Sequence, residues 1–347
     1  KWYVSPTEGL RLPPWPTDGA VYAALHDFET GFQDLLEIGN QTRPSLFDLS
    51  IVKPNQLYHS VTEVCERLDS EGNIIRKLDE KKLESDSRNL YNSDIHSIAI
   101  VLMHSWKNPV HEERCYDIAK KVGFSNISIS SRIMPLIKIV GRGQTTVVDS
   151  YLYPILSKYI MSLKDELGEI PLEFMQSSGG LTAGKSLTGK DAILSGPAGG
   201  AIGSATVGEI NGLDLVIGFD MGGTSTDVSR YDGSFSRLTE VETGGINFQA
   251  SSLDIETVAA GGGSLLWFDG QRLQVGPESA GAIPGPVCYG LGGQLAVTDA
   301  NLVLGRINPD FFPDVFGPKQ NDKLDSVNTL LEFEKLRTKI NKSTKSS

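Results

Sequence analysis

An α/β fold is predicted from three observations. Ser97 to Met103 (SIAIVLM) is a continuous apolar run of strand length, the mark of a strand buried on both faces. A helical pattern starts at Asn108-Pro109, runs to about Val122 and stops at Gly123. Ile127 to Ile129 reads as the next strand, so the rhythm is β-α-β and the sheet is partly parallel. The third observation is glycine: 37 residues, with 27 of them between Gly179 and Gly305. The second half must hold many tight turns or close backbone approaches that the first half need not.

The elements follow in order. Residues 1–30 carry little periodicity, and Pro13, Pro14 and Pro16 break any helix there. Ser50 to Val52 and Val61 to Val64 read as strands. Asp69 to Asn73 is a turn, after which Ile74-Ile75 resumes as a hairpin partner. Asp79 to Leu90 is a charged surface helix. Thr145 to about Leu167 is one long helix with Val148, Tyr151, Leu152, Leu156, Tyr159 and Leu163 on its apolar stripe. Pro154 predicts a kink or break in it, and Gly168 ends it. Leu172 to Met175 is a short strand. Pro197 to Ile210 is a helix of small residues that Ser195 or Gly196 can cap. Leu213 to Phe219 is a buried strand ending at Asp220, and Thr226 to Arg237 is hairpin-like around Asp232-Gly233. Val327, Leu330, Phe333, Leu336 and Ile340 mark a terminal amphipathic helix. Four regions are expected: an irregular segment 1–30, an α/β region 31–135, a glycine-rich lobe 136–325, and a helix and tail 326–347.

Charge and cysteines exclude several functions. The formal net charge is -11, which argues against nucleic-acid and anionic-membrane partners while leaving a local nucleotide site open. The basic run from Lys335 to Lys345 reads as a solvated helix end. Cys65, Cys115 and Cys288 are far apart, with no zinc spacing and no disulfide framework, so a reducing compartment, the cytosol, is expected. The longest apolar run, Ile98 to Met103, is too short to cross a bilayer.

Four glycine clusters compete as phosphate sites. Gly179 to Ser186 (GGLTAGKS) fits GxxxxGK[ST], but the helix that pattern needs has no room before Gly189. Gly196 to Gly203 (GPAGGAIG) suits close helix packing as well as it suits a ligand. Gly218 to Asp227 (GFDMGGTSTD) is the most specific. Gly222-Gly223 turn the backbone, while Thr224, Ser225 and Thr226 supply hydroxyls and N–H donors in a concave turn. Asp220 and Asp227 flank it with two carboxylates, a set that suits Mg²⁺. The bland reading is an ordinary β-hairpin turn, which would not require aspartate at both ends. Ala259 to Ser264 (AAGGGS) places Gly261, Gly262 and Gly263 in a row, either open to a nucleotide or substrate or acting as a hinge.

The Asp220–Asp227 motif resembles the phosphate loop of the actin, Hsp70 and sugar-kinase ATPase superfamily, which implies actin/Hsp70-like (ribonuclease H-like) α/β lobes. Leu194 to Gly200 (LSGPAGG), Ile217 to Tyr231, Thr257 to Ser264 (TVAAGGGS), Pro284 to Tyr289 (PGPVCY) and Val297 to Gly305 (VTDANLVLG) are similar to the hydantoinase A/5-oxoprolinase family. Gly31 to Gln41, Leu46 to Leu49 and Met175 to Gly180 resemble its eukaryotic-type ATP-dependent 5-oxoprolinase branch. The resemblance covers the chain from about residue 31 onward. It implies hydrolysis of the cyclic amide of 5-oxo-L-proline to L-glutamate, with ATP giving ADP and phosphate. Mg²⁺ and a monovalent cation such as K⁺ would assist. It also implies a homo-oligomer in the complete enzyme.

Carried onto this sequence, the resemblance implies that Gly222, Gly223, Thr224, Ser225 and Thr226 bind the ATP phosphates, and that Asp220 and Asp227 are the catalytic carboxylates, metal-side or water-positioning. Arg142, Asp254 and Asp299 also match family segments, but a structural ion pair explains each equally well. The family's earlier DxGGTFTD-type loop, its FGGAG-type loop and its hydantoinase B-type half have no counterpart here, so the chain is expected to be an incomplete set of lobes. Three alternatives remain: the A-type subunit of an ATP-dependent hydantoinase, a non-catalytic fragment, and a P-loop NTPase through Gly179 to Ser186.

Overall fold

A computed structural model describes Tyr3–Val4, Val21–His26 and residues 57–243 and 246–344. The strand expected at Ser50 to Val52 lies outside the described residues. In chain order run β1 (Tyr3–Val4), β2 (Val21–His26), β3 (Ser60–Val64), β4 (Arg67–Leu68), β5 (Ile74–Arg76), α1 (Glu80–Asn92), β6 (Ser97–Val101), α2 (Val110–Val122), β7 (Asn126–Ile129), α3 (Ser130–Ile133) and α4 (Ile139–Leu167). Next come β8 (Glu173–Met175), β9 (Leu181–Ala183), α5 (Gly189–Ala192), α6 (Ser195–Ile210), β10 (Val216–Met221), β11 (Thr226–Tyr231), β12 (Arg237–Thr243) and β13 (Ile246–Leu253). Last are β14 (Ile255–Val258), β15 (Ser264–Phe268), β16 (Leu273–Ser279), α7 (Val297–Val303) and α8 (Ser326–Thr344). The chain divides into two compact units, Lys1–Ile202 with Ser236–Asp254 and Gly203–Phe235 with Ile255–Ser347.

The first unit is built on a parallel sheet in the order β3-β2-β6-β7. All five residues of β6 are buried because its two faces serve two cores. Ala99 and Val101 pack with Val147, Val148, Tyr151 and Leu152 of α4 and Phe248 and Ala250 of β13. Ile98 and Ile100 pack with Leu83 of α1 and Cys115, Ile118 and Ala119 of α2. A strand covered on both sides has no polar face, which is why its sequence does not alternate. The helices end where the sequence places their caps: Asp79 Oδ1 accepts Lys82 N–H at 3.0 Å, and Gly123 closes α2 at φ 124°. The expected hairpin across Asp69 to Asn73 forms between β4 and β5.

Helix α4 starts six residues before the predicted Thr145 and runs unbroken through Pro154. Its first turns are buried but polar, which hides their periodicity. Arg142 is fully buried and donates to Ser130 Oγ at 2.9 Å, Leu136 O at 2.6 Å and Leu102 O at 2.6 Å. Glu112 is equally buried, and it accepts Leu102 N–H, Ser130 Oγ–H and Ser131 N–H at 2.8, 2.5 and 2.8 Å. Arg142 therefore ties strand ends to the helix rather than facing a ligand.

The second unit holds a three-stranded antiparallel sheet, β10-β11-β14, with β11 central. The carboxyl-terminal part of α6 lies very close to it: a methyl on Gly208 would come within 2.3 Å of Val216 Cγ2. Earlier in α6 it is the alanines that pack, with Ala198, Ala201 and Ala205 buried, while Gly199 and Gly203 face open space. Two expectations need correction. β10 is not a buried strand: Ile217, Phe219 and Met221 are 75%, 68% and 50% exposed, because these alternate side chains share one sheet face that no described residue covers there. The turn at Asp232-Gly233 does not join hairpin partners either. β11 pairs with β10 and β14, whereas β12 pairs with β13. Asp299 is buried and accepts the N–H groups of Val287, Cys288 and Ala296 at 3.0, 2.8 and 2.8 Å, so its role is to cap α7 and fix the preceding loop. Asp254 is exposed.

Candidate phosphate-binding site

β10 and β11 form a hairpin in which Met221 lies opposite Thr226 and Asp220 opposite Asp227. The connecting turn is Gly222 to Ser225, closed by Gly222 N–H donating to Ser225 O at 2.8 Å. Directly opposed residues share a sheet face, so the register brings the two sequence-predicted carboxylates side by side. Asp220 is exposed and Asp227 half-buried. Asp227 Oδ1 accepts the Thr257 hydroxyl at 2.7 Å, across the β11–β14 pair. Among the described residues neither aspartate is paired with a lysine or arginine.

The three expected hydroxyls are not equivalent. Thr226 is buried and donates to Ala260 O at 2.6 Å, so its hydroxyl is committed to the fold. Thr224 is exposed and Ser225 half-buried. Among the described residues, no protein acceptor takes the N–H groups of Gly223, Thr224 or Ser225. These three donors sit in succession at the tip of the turn, which is the arrangement of an anion-binding nest.

The Gly261 to Gly263 cluster belongs to the same construction. Gly262 N–H donates to Gly222 O at 2.9 Å and Gly263 N–H to Gly223 O at 2.6 Å. A methyl on Gly261 would lie 2.7 Å from the Gly223 carbonyl carbon and oxygen, so only glycine lets the two backbones meet. In the sequence the two glycine clusters stand apart. The signal that could have joined them is the run of glycines itself, which marks a close approach whose partner is another segment of backbone.

The GxxxxGK[ST] match has a different structure. Met175 pairs with Leu181 in an antiparallel β8–β9 hairpin, and Gly184, Lys185 and Ser186 form a single 3-10 turn. Lys185 and Ser186 are exposed and no α-helix starts there, so the strand–loop–helix that a P-loop requires is not formed.

Among the described residues no group of three or more His, Cys, Asp or Glu could hold a metal. The Asp220–Asp227 pair still fits Mg²⁺, which takes one or two carboxylates and fills its shell with water and phosphate oxygens. Two like charges placed opposite each other destabilise a sheet unless a cation lies near them.

Residues 142–346 match the Hydantoinase/oxoprolinase model, and residues 27–123 match the Hydantoinase/oxoprolinase N-terminal region. The chain is 47% identical over 335 residues to 5-oxoprolinase 1 of Arabidopsis thaliana, covering 90% of this chain and 26% of that protein. It thus spans about a quarter of the length of the 5-oxoprolinases it matches. Solved structures resemble it as well. Acetone carboxylase in its nucleotide-free form gives a TM-score of 0.70 at 25% identity, over 95% of this chain and 48% of that one. ATP-dependent caprolactamase from Pseudomonas jessenii gives 0.64 at 28% identity, over 94% and 50%. The mixed α/β architecture is that of these neighbours, and the chain belongs to the hydantoinase/oxoprolinase family.

Proposed function

We propose that this chain supplies a phosphate-binding turn to an ATP-dependent amidohydrolase that opens the cyclic amide of 5-oxo-L-proline to L-glutamate. The observation that carries the reading is the row of acceptor-free N–H groups at Gly223, Thr224 and Ser225, beside the opposed Asp220 and Asp227. The relatives named 5-oxoprolinase and the neighbour named ATP-dependent caprolactamase support the substrate class.

A cyclic amide is a poor electrophile. Transfer of the terminal phosphoryl group from ATP to the amide oxygen makes the carbon attackable and releases ADP. One water adds to that carbon and the ring C–N bond breaks, the nitrogen leaving with a proton to give a γ-glutamyl phosphate. A second water then hydrolyses this acyl phosphate to L-glutamate and phosphate. Phosphoryl transfer depends mostly on positioning and charge stabilisation. Gly223, Thr224 and Ser225 offer N–H groups to phosphate oxygens, and Thr224 and Ser225 add hydroxyls. Asp220 and Asp227 would hold a Mg²⁺ ion, which when bound would supply charge neutralisation for the phosphates. Gly261, Gly262 and Gly263 contribute by supporting the turn. K⁺, a hydantoinase B-type half and homo-oligomeric assembly belong to the same reading. So does the cytosol, which suits the free Cys65, Cys115 and Cys288. No helix among the described residues is long and apolar enough to cross a membrane.

Calorimetric titration with Mg·ATP tests the site. Binding should be lost in Asp220→Asn or Asp227→Asn and retained in Lys185→Ala; the reverse pattern sinks the assignment. Absence of binding by the unmodified chain would favour a non-catalytic role. A second reading, the A-type subunit of a two-chain hydantoinase, is favoured by one relative's name, caprolactamase subunit alpha. Turnover of hydantoins but not 5-oxoproline, measured with a B-type chain added, would select it.

A further inference from the structure

Behind the phosphate turn run two chains of hydrogen-bonded peptide groups, both ending at its tip. In the first, Ser264 N–H donates to Gly261 O at 3.0 Å. The same peptide unit carries the Gly262 N–H, which donates to Gly222 O at 2.9 Å, and the peptide accepting that bond ends in the free N–H of Gly223. In the second, Thr298 at the start of α7 donates twice to Gly262 O, from its N–H and from Oγ1, both at 2.8 Å. That peptide unit carries the Gly263 N–H, which donates to Gly223 O at 2.6 Å. The peptide accepting it ends in the free N–H of Thr224.

Geometry and polarisation act together in this arrangement. A trans peptide points its carbonyl and its N–H in opposite directions. Holding the carbonyls of Gly222 and Gly223 against the glycine loop turns the N–H groups of Gly223 and Thr224 away from it, toward the open side of the turn. Hydrogen bonds in series also strengthen one another. A doubly bonded Gly262 carbonyl makes Gly263 N–H a better donor, which in turn makes Thr224 N–H a better donor.

We infer that Thr298 is a positioning residue for the phosphate turn, acting through the Gly262–Gly263 and Gly223–Thr224 peptides to aim and strengthen the Thr224 N–H. This rests on the phosphate-binding reading of the turn. Thr298 touches no phosphate itself. Its hydroxyl lies two peptide units behind the donor it serves.

The test uses the full chain with Mg·ATP as probe. Thr298→Val keeps the main-chain N–H and the side-chain volume but removes the Oγ1 donor. It should raise the Kd for Mg·ATP roughly two- to threefold, since strengthening of only ~10–30% is passed along per bond and the Thr298 N–H still holds the Gly262 carbonyl. Thr298→Ser should restore binding. Without any ligand, the Thr224 amide proton should move upfield in Thr298→Val and return in Thr298→Ser, a signature that simple loss of stability does not give. Should the valine variant fail to fold, Gly263→Ala interrupts the same chain one step later. Its methyl would meet Ser279 Oγ at 2.8 Å and Gly223 O at 2.9 Å, and the same two changes are expected. An unmoved Thr224 amide, or unchanged affinity in Thr298→Val, overturns the inference and leaves the phosphate turn standing. Failure of the unmodified chain to bind Mg·ATP removes the phosphate reading, and this inference with it.

Discussion

At the residue scale, side chains that look alike in sequence have unlike roles. Asp220, Asp227 and Asp299 all sit in family-like motifs, yet only the first two flank the turn. Asp299 faces three buried N–H groups. Asp299→Ala leaves those donors unsatisfied and should cost about 3 kcal/mol or more in urea unfolding, with loss of the α7 cap. Asp227→Asn should leave stability nearly unchanged and weaken Mg·ATP by tenfold or more, as measured by calorimetry. Gly261→Ala should also abolish binding while adding no charge, because its methyl displaces the Gly223 carbonyl. The turn was legible because Gly222-Gly223 and the two aspartates are local in sequence. Thr298, some seventy residues beyond the turn, was not, since nothing in a threonine near a helix start reports which distant carbonyl it bonds.

At the element scale, the readable strands were those whose burial matches their pattern. β6 is apolar from Ile98 to Val101 and buried throughout, so Ile100→Ala should cost about 3 kcal/mol in urea unfolding, within the range for large-to-small core changes. β10 carries a similar apolar run and lies at an edge. Hydrophobicity alone does not say how many neighbours a strand will have. β9 was hidden beneath a phosphate-loop pattern, and Asp232-Gly233 revealed a change of direction but not which strands would pair. The β15–β16 hairpin offers a pH test. Backbone donation from Arg272, then bonds from Gln274 and Gln271, hold the Asp269 carboxyl down at about 2. A depressed carboxylate stabilises the fold above its unfolded value and loses that contribution as pH falls through the folded one. The support Asp269 gives this turn should therefore be intact above about pH 4 and fade toward pH 2. An NMR titration of the Asp269 carboxyl follows it directly.

At the scale of the whole molecule, the chain passes from one unit to the other within α6, after Phe235 and after Asp254. Both glycine clusters of the candidate site belong to the second unit, which accounts for part of the glycine excess beyond Gly179. Mg·ATP at a hundred times its Kd should stabilise the protein by about 2.7 kcal/mol. Its hydrogen-exchange protection should centre on residues 222–225 and leave β6 unchanged; uniform protection would argue for a different site. The open face of β10 has a further consequence for handling. Ile217, Phe219 and Met221 line a strand whose outer backbone groups have no neighbouring strand among the described residues, a combination that invites sheet-to-sheet association. Light scattering should therefore rise steeply with protein concentration, and Phe219→Lys should suppress that rise without weakening Mg·ATP binding.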